Sequence, residues 1–198
     1  DDNTAIGSKS QLNVTSGEFN TSLGSLSMGV GVVTGNHNTV LGYNSGTSLT
    51  SGGENMIIGS FAGDALTSGT RNVAMGYAAL STENGHGLNT AIGYQALKLL
   101  DANANAVNTA VGYNSGASIS TGVQNTITGG NAGDAITTGS DNVAIGYNAL
   151  TTEDTGGQNV AIGAQALQNL DAGANGLNVA VGFQAGTAMQ TGVQNTIV

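Results

Sequence analysis

The chain has no cysteine, no proline and no tryptophan, and charged side chains make up only 8% of it, against roughly 25% in a usual soluble domain. Each shortage excludes something. Without cysteine there is no disulfide framework and no thiolate chemistry. Three cations, Lys9, Arg71 and Lys98, stand against twelve carboxylates, for a formal charge of −9. Phosphate neutralisation needs clustered Lys and Arg, so nucleic acid is not an expected partner. His37 and His86 are the only side chains that titrate near neutrality in ordinary surroundings. No basic stretch leads into an apolar run, and no run is long enough to span a bilayer, so neither signal peptide nor membrane segment is expected. Glycine is plentiful, 33 of 198 residues, beside a hydrophobic fraction of 39%. Order or disorder then depends on how the apolar residues are arranged.

They are arranged as a repeat. An Asn, three small or apolar residues and a Gly recur, as in Asn89-Thr90-Ala91-Ile92-Gly93 and Asn142-Val143-Ala144-Ile145-Gly146. The leading residue is Asn3, Asn20, Asn38, Asn55, Asn72, Asn89, Asn108, Asn125, Asn142, Asn159, Asn178 and Asn195, a nearly constant step with the longest intervals at Asn89–Asn108 and Asn159–Asn178. The fifth is Gly7, Gly24, Gly42, Gly59, Gly76, Gly93, Gly112, Gly129, Gly146, Gly163 and Gly182. The pattern also matches itself four coils on, from Asn38 to Asn108 to Asn178, so that 38–107 recurs as 108–177, with partial copies at 1–37 and 178–198. Counting from the Asn, the fourth position is apolar except at Thr128. The sixth is often aromatic, as at Tyr43, Tyr77, Tyr94, Tyr113, Tyr147 and Phe183. The eighth is always Ala or Ser, and the twelfth is usually apolar, as at Leu49, Leu66, Leu100, Ile119, Ile136, Leu170 and Met189.

Seventeen residues are too few for a helix pair, and short β-compatible runs broken by Gly, Ser, Thr and Asn fit strands with tight turns. The expected fold is all-β, a parallel β-solenoid of about twelve coils in one segment, 1–198. Stacked about 4.8 Å apart, the coils make a rod on the order of 55 Å long. Like residues stack on like, so the Asn column is expected to form an amide ladder and the apolar columns a core. The Gly column suggests positive φ or a close backbone approach. Proline is absent because it would delete a ladder donor at every use. The chain starts two residues before a repeat and stops at Val198, the fourth residue of one. A segment of a longer chain, or a unit stacking end to end, is the expectation.

Asn-Val-Ala-Ile-Gly at 142–146 and 159–163 resembles the head repeat of YadA-type trimeric autotransporter adhesins, and Gly-Tyr-x-Ala-Leu at 76–80, 93–97 and 146–150 is similar to repeats of phage tail fibres. The resemblance covers essentially the whole chain. It implies a left-handed β-roll, three chains side by side, and an extracellular fibre on a cell surface or virion. The coil and the four-coil superrepeat are longer than in the adhesin heads, and no neck, stalk, anchor or chaperone segment is visible. The strand alternation is consistent with a trimer. Positions two and four share one side and the Ala-rich third faces the other, so both sides are apolar. One fills the coil and the other needs cover, at roughly 25 cal/mol per Å². A monomeric three-sided solenoid is the alternative.

No enzyme site emerges. His37 and His86 sit in Gly/Asn-rich turns without a partner at ligand spacing, and neither recurs at the equivalent place four coils on. No Ser lies in a Gly-x-Ser-x-Gly elbow, and no calcium-type Gly-Gly-x-Gly-x-Asp coil occurs. Gly29-Val30-Gly31 lacks a following helix and reads as strand. Cofactors and metals are not expected. Recurring acids, Asp64 with Asp134, Glu83 with Glu153 and Asp101 with Asp171, read as a solvating coat that discourages lateral aggregation. The two longer coils carry two extra residues each, around Asp101, Asn103 and Asn105, and around Asp171 and Asn175. These turns are candidate contacts for a surface glycan or receptor. Asn13-Val14-Thr15 and Asn20-Thr21-Ser22 are formal N-glycosylation sequons. The favoured function is a structural and adhesive fibre segment, binding surfaces through many weak contacts in series. Alternatives are a self-assembling filament subunit without a receptor and, on the Thr columns, an ice- or glycan-binding solenoid.

Overall fold

A computed structural model describes residues 2–29 and 31–198. Twelve short strands form: β1 (Thr4–Ile6), β2 (Thr21–Leu23), β3 (Thr39–Leu41), β4 (Met56–Ile58), β5 (Val73–Met75), β6 (Thr90–Ile92), β7 (Thr109–Val111), β8 (Thr126–Thr128), β9 (Val143–Ile145), β10 (Val160–Ile162), β11 (Val179–Val181) and β12 (Thr196–Ile197). They pair in parallel, strictly in chain order, as one sheet. Each residue faces its own repeat equivalent, as in Ala74 to Ala91 and Ala91 to Ala110. The chain is a β-solenoid, with no helix among the described residues. The strand expected at Gly29-Val30-Gly31 turns on Val30, which lies outside the described residues; Gly29 and Gly31 belong to no strand.

Alternation along the strand decides which side is core. The third position points inward: Val40, Ile57, Ala74, Ala91, Ala110, Ile127, Ala144, Ala161 and Ala180 are buried. They meet the small eighth position, such as Ala79, Ala96 and Ser115, and the apolar twelfth, such as Leu49, Leu66, Ile119 and Ile136. Of the two apolar sides, the one that carries the second and fourth positions is therefore the outer surface. Ile6, Leu23, Leu41, Ile145, Ile162 and Val181 are all exposed.

In six coils interior volume is shared between the third and ninth positions. The coils opening at Asn108 and Asn178 carry Ala and Gly there, and neighbouring coils fill the space, Ile127 Cδ1 and Leu97 Cδ2 each standing 3.2 Å from a Cβ added at Gly116. Coils opening at Asn72, Asn89, Asn142 and Asn159 pair Ala at the third with a buried Leu at the ninth, namely Leu80, Leu97, Leu150 and Leu167. Coils opening at Asn55 and Asn125 pair Ile57 with Gly63 and Ile127 with Gly133. A Cβ added at Gly133 would stand 2.9 Å from Ile136 Cδ1 and 3.0 Å from Ile127 Cδ1, so the large residue already occupies that space.

The backbone goes left-handed at four places per coil. The fifth-position Gly has φ between 127° and 141°. The seventh, the ninth and the residue before each Asn sit near 41° to 66°. Most of these are not glycine, and one, Val107 at 53°, is β-branched, an unfavourable choice for that region. Their amides reach neighbouring coils. Phe61 N–H donates to Tyr43 O at 3.1 Å, Leu80 N–H to Ala96 O at 3.0 Å, and Glu54 N–H to Asn36 O at 2.9 Å. Strain of this kind persists where the surroundings over-determine it, and bonds to coils on both sides do so here.

Candidate functional site

The most uniform feature is the corner formed by each Asn and the Gly four residues later. From Asn20 to Asn178 every Asn is buried. Asn142 N–H donates to Asn125 Oδ1 at 3.0 Å, and the same relation runs through all adjacent pairs from Asn3 to Asn195. Asn125 Nδ2 donates to Asn108 Oδ1 at 3.2 Å and to Gly139 O at 2.9 Å, closing the turn that ends the coil. Most of these amides are satisfied in their own coil as well as in the neighbours, as a buried polar group must be, Asn89 and Asn159 of the longer coils being bonded to neighbouring coils alone. The sequon at Asn20 is closed by this burial, whereas Asn13 is exposed.

Gly at the fifth position answers both physical requirements at once. A Cβ on Gly112 would lie 2.5 Å from Gly129 O, and φ there is +140°. Gly173, in the turn of a longer coil, is left-handed at φ +63° with nothing within 4 Å of an added Cβ.

The recurring acids correct the expectation of a uniform solvating coat. Glu83 and Glu153 are fully buried, in the column that Leu49, Leu66, Leu100 and Leu170 fill elsewhere. Backbone amides replace the lost water. Glu83 Oε1 accepts from Gly85 N at 3.2 Å and His86 N at 2.9 Å, and its Oε2 from Ala102 N at 3.3 Å. Glu153 accepts from Gly156 N at 2.7 Å and Ala172 N at 3.0 Å. Ala102 and Ala172 belong to the two longer coils, so each buried Glu anchors the enlarged turn that follows it. The longer path also removes the usual turn carbonyl. Asn89 Nδ2 donates instead to Gly87 O at 3.2 Å. Burial pushes the Glu153 carboxyl above its ordinary range, against the pull of its two amide donors. Asp64 and Asp134, half-buried, are also raised by burial, and one oxygen of each is enclosed without a partner.

The candidate contact turns are all at the surface: Asp101, Asn103, Asn105, Asp171 and Asn175 are exposed. Asn105 Oδ1 accepts from Gly87 N at 3.0 Å, so it holds the turn as well as facing solvent. Glu153, Asp154 and Asp171 bring carboxylate oxygens within 4.8 Å of one another. Comparing acids only between equivalent superrepeat positions passes over Asp154, because Asn84 stands at its equivalent place. The usable signal is the one-coil spacing of Glu153 to Asp171.

His37 is exposed and stacks on Phe19, centroids 5.0 Å apart and planes 7° from parallel. His86, expected to be an exposed turn residue, is instead half-buried, with Nδ1 3.4 Å from Glu83 Oε1. Among the described residues the pair between full charges is Arg71 with Glu54, at 2.8 Å on the surface. It draws the Glu54 carboxyl below its ordinary range.

The sixth position builds an aromatic row along the rod. Tyr77, Tyr94 and Tyr113 stack at 5.3 and 5.2 Å with planes 12° and 11° apart. Phe61, one place later in its coil, packs edge-on between Tyr43 and Tyr77. The tyrosines are about half exposed. No enclosed pocket forms among the described residues. No family model, curated protein or solved structure matches the chain.

Proposed function

We propose that this chain is a segment of an extracellular fibre of the adhesin or tail-fibre kind, built of three copies side by side, which holds a stiff rod out for attachment to a surface. The observation that supports it best is the outer face of the sheet. Its second and fourth positions are Thr, Val, Met, Ile and Leu in β1 through β12, without one charged residue. Twelve strands at about 4.8 Å make this face roughly 53 Å long. An uncharged exposed surface of that extent marks an interaction site. Another copy of the same chain is the partner it fits, because the opposing surface would match it in length and coil spacing, and a closed arrangement leaves no sticky side. The aromatic row lies two residues beyond the fourth position, where it would rim the contact; Tyr is favoured in such places.

Stiffness follows from the Asn ladder and the sheet running uninterrupted along the axis. The longer turns at Asp101, Asn103, Asn105, Asp171 and Asn175 provide the outward chemistry toward a glycan or receptor. Two substitutions separate the parts of this reading. Ile145→Lys with Ile162→Lys places charge on the sheet face and is expected to dissociate the assembly while the β circular-dichroism signal remains. Asp101→Ala with Asp171→Ala is expected to leave assembly intact and to weaken retention of labelled protein on microbial cells. Unchanged assembly in the first pair, or unchanged retention in the second, contradicts the corresponding part.

A further inference from the structure

We propose that Asn84-Gly85 is a self-modification site, at which the folded chain converts Asn84 to aspartate and isoaspartate selectively over its other Asn-Gly pair, Asn175-Gly176. The chemistry is attack of the following backbone nitrogen on the Asn side chain. The Gly85 N–Cγ bond of Asn84 forms, the Cγ–Nδ2 bond breaks, and the Gly85 amide proton leaves with ammonia. Water then opens the cyclic imide on one side or the other. Opening at Cγ gives aspartate; opening at the main-chain carbonyl carbon gives isoaspartate. Water is the only co-reactant. Glycine favours the step because no Cβ shields its nitrogen and its backbone moves most freely.

The two pairs share a sequence and an exposed Asn, and differ in everything around the nitrogen. At Gly176 the N–H donates to Gly157 O at 3.0 Å and the carbonyl accepts from Gln194 N at 2.7 Å, so coils on both sides hold it. It is buried under the Asn ladder, where an added Cβ would collide with Asn159 Oδ1 and stand 2.8 Å from Asn178 Nδ2. Gly85 has room on every side. A Cβ there would meet only Ser68 Oγ, at 3.6 Å. Its N–H is bound by no neighbouring main chain, only by Glu83 Oε1 of its own turn at 3.2 Å. That carboxylate is an acceptor through which the departing proton can pass. The product also fits. Asp154 already occupies the equivalent place four coils on, beside Glu153 and Asp171, so conversion gives Glu83 and Asp101 the same acidic companion. Isoaspartate differs, because it lengthens the main chain where the Asn84 carbonyl accepts from Thr67 N at 2.6 Å and Thr67 Oγ1 at 2.8 Å.

The test holds the folded chain in heavy-oxygen water at mildly alkaline pH and follows both sites by peptide mapping, with the urea-unfolded chain alongside. In the folded chain Asn84 is expected to convert at least tenfold faster than Asn175, about the factor set by one net hydrogen bond that must open at Gly176. In urea the two rates should converge. Each conversion adds about a dalton plus the heavy-oxygen increment and one negative charge, visible by isoelectric focusing. Gly85→Ala, for which there is space, should keep the fold and slow Asn84 by a similar factor. Equal folded rates at the two sites, or a rate at Asn84 unmoved by Gly85→Ala, overturns the proposal.

Discussion

The corner of the coil and its interior obey different rules. At the corner, Asn and Gly hardly vary: eleven complete coils carry both. In the interior, Ala with Leu in some coils fills the space that Ile with Gly fills in others, across the third and ninth positions. The difference lies in the direction of the contacts. Asn125 is bonded to Asn108 behind it and Asn142 ahead of it, so changing it disturbs three coils. Ile127 divides one volume with Gly133 across its own coil and also fills the space over Gly116 one coil back, so the part shared with Gly133 can change if Gly133 compensates. What is shared along the axis is fixed one residue at a time; what is shared across the coil is fixed only in sum.

The sharpest way to break the corner is Gly112→Ala. It adds the left-handed penalty to a collision with Gly129 O, together about 3 to 5 kcal/mol. Gly173→Ala, left-handed at φ +63° with nothing within 4 Å of an added Cβ, should cost only the backbone part, about 1 to 2 kcal/mol. Urea titration of both gives the contrast; equal losses would mean that the axial collision is not what demands glycine.

Next comes Asn125→Ala, which leaves Asn142 N–H, Gly139 O and Asn108 Oδ1 short of a partner. Roughly 3 kcal/mol should be lost, with little recovered by any single neighbouring change. The interior behaves otherwise. Ile127→Ala alone should cost about 2 to 4 kcal/mol through its cavity. Gly133→Leu alone should cost about 1 to 3 kcal/mol by overpacking. Left-handed backbone is no obstacle to the latter, since Leu150 holds φ 52° at the equivalent position. Combined, the two should recover at least about 1 kcal/mol of their sum, the coupling expected of residues in contact. Strict additivity would refute a shared volume.

The smallest effect is the response to acid. Asp64, Asp134 and Glu153 have carboxyls raised chiefly by burial. A raised acid binds its proton more tightly when folded, so stability is lost as pH rises through the folded value and is fully present below the unfolded one. Melting temperature should therefore climb as pH falls from neutrality toward the ordinary 3.8 to 4.5 range. Glu54, lowered by Arg71, acts in the opposite sense from the surface, where screening weakens it. Asp64→Asn with Asp134→Asn should flatten the climb; an unaltered slope would place its origin elsewhere.

Coil length, parallel register and ladder are legible in the spacing of Asn and Gly, because those columns appear on simple alignment of the chain with itself. The side of the strand that forms the core is not, since both faces are apolar and only the small size of Ala at the third position hints that it points inward. The third-and-ninth exchange is present in the sequence but shows only when two columns are compared rather than each inspected alone. Glu83 and Glu153 mislead for another reason. An acid in a polar-looking turn reads as solvated, and nothing local announces that Ala102 and Ala172, one coil later, bring backbone amides to it. The candidate contact turns lie at the surface as expected, for loops with inserted residues have nowhere else to go.

In the proposed fibre the uncharged sheet face is covered by two further copies of the chain. Light scattering on the purified protein, coupled to size separation and repeated over a broad concentration range, reads this out without intermediaries. The expected mass is three times 19.4 kDa, falling to one chain when Ile145 and Ile162 become lysine. A stable mass of 19.4 kDa at every concentration, with the β signal intact, would contradict it.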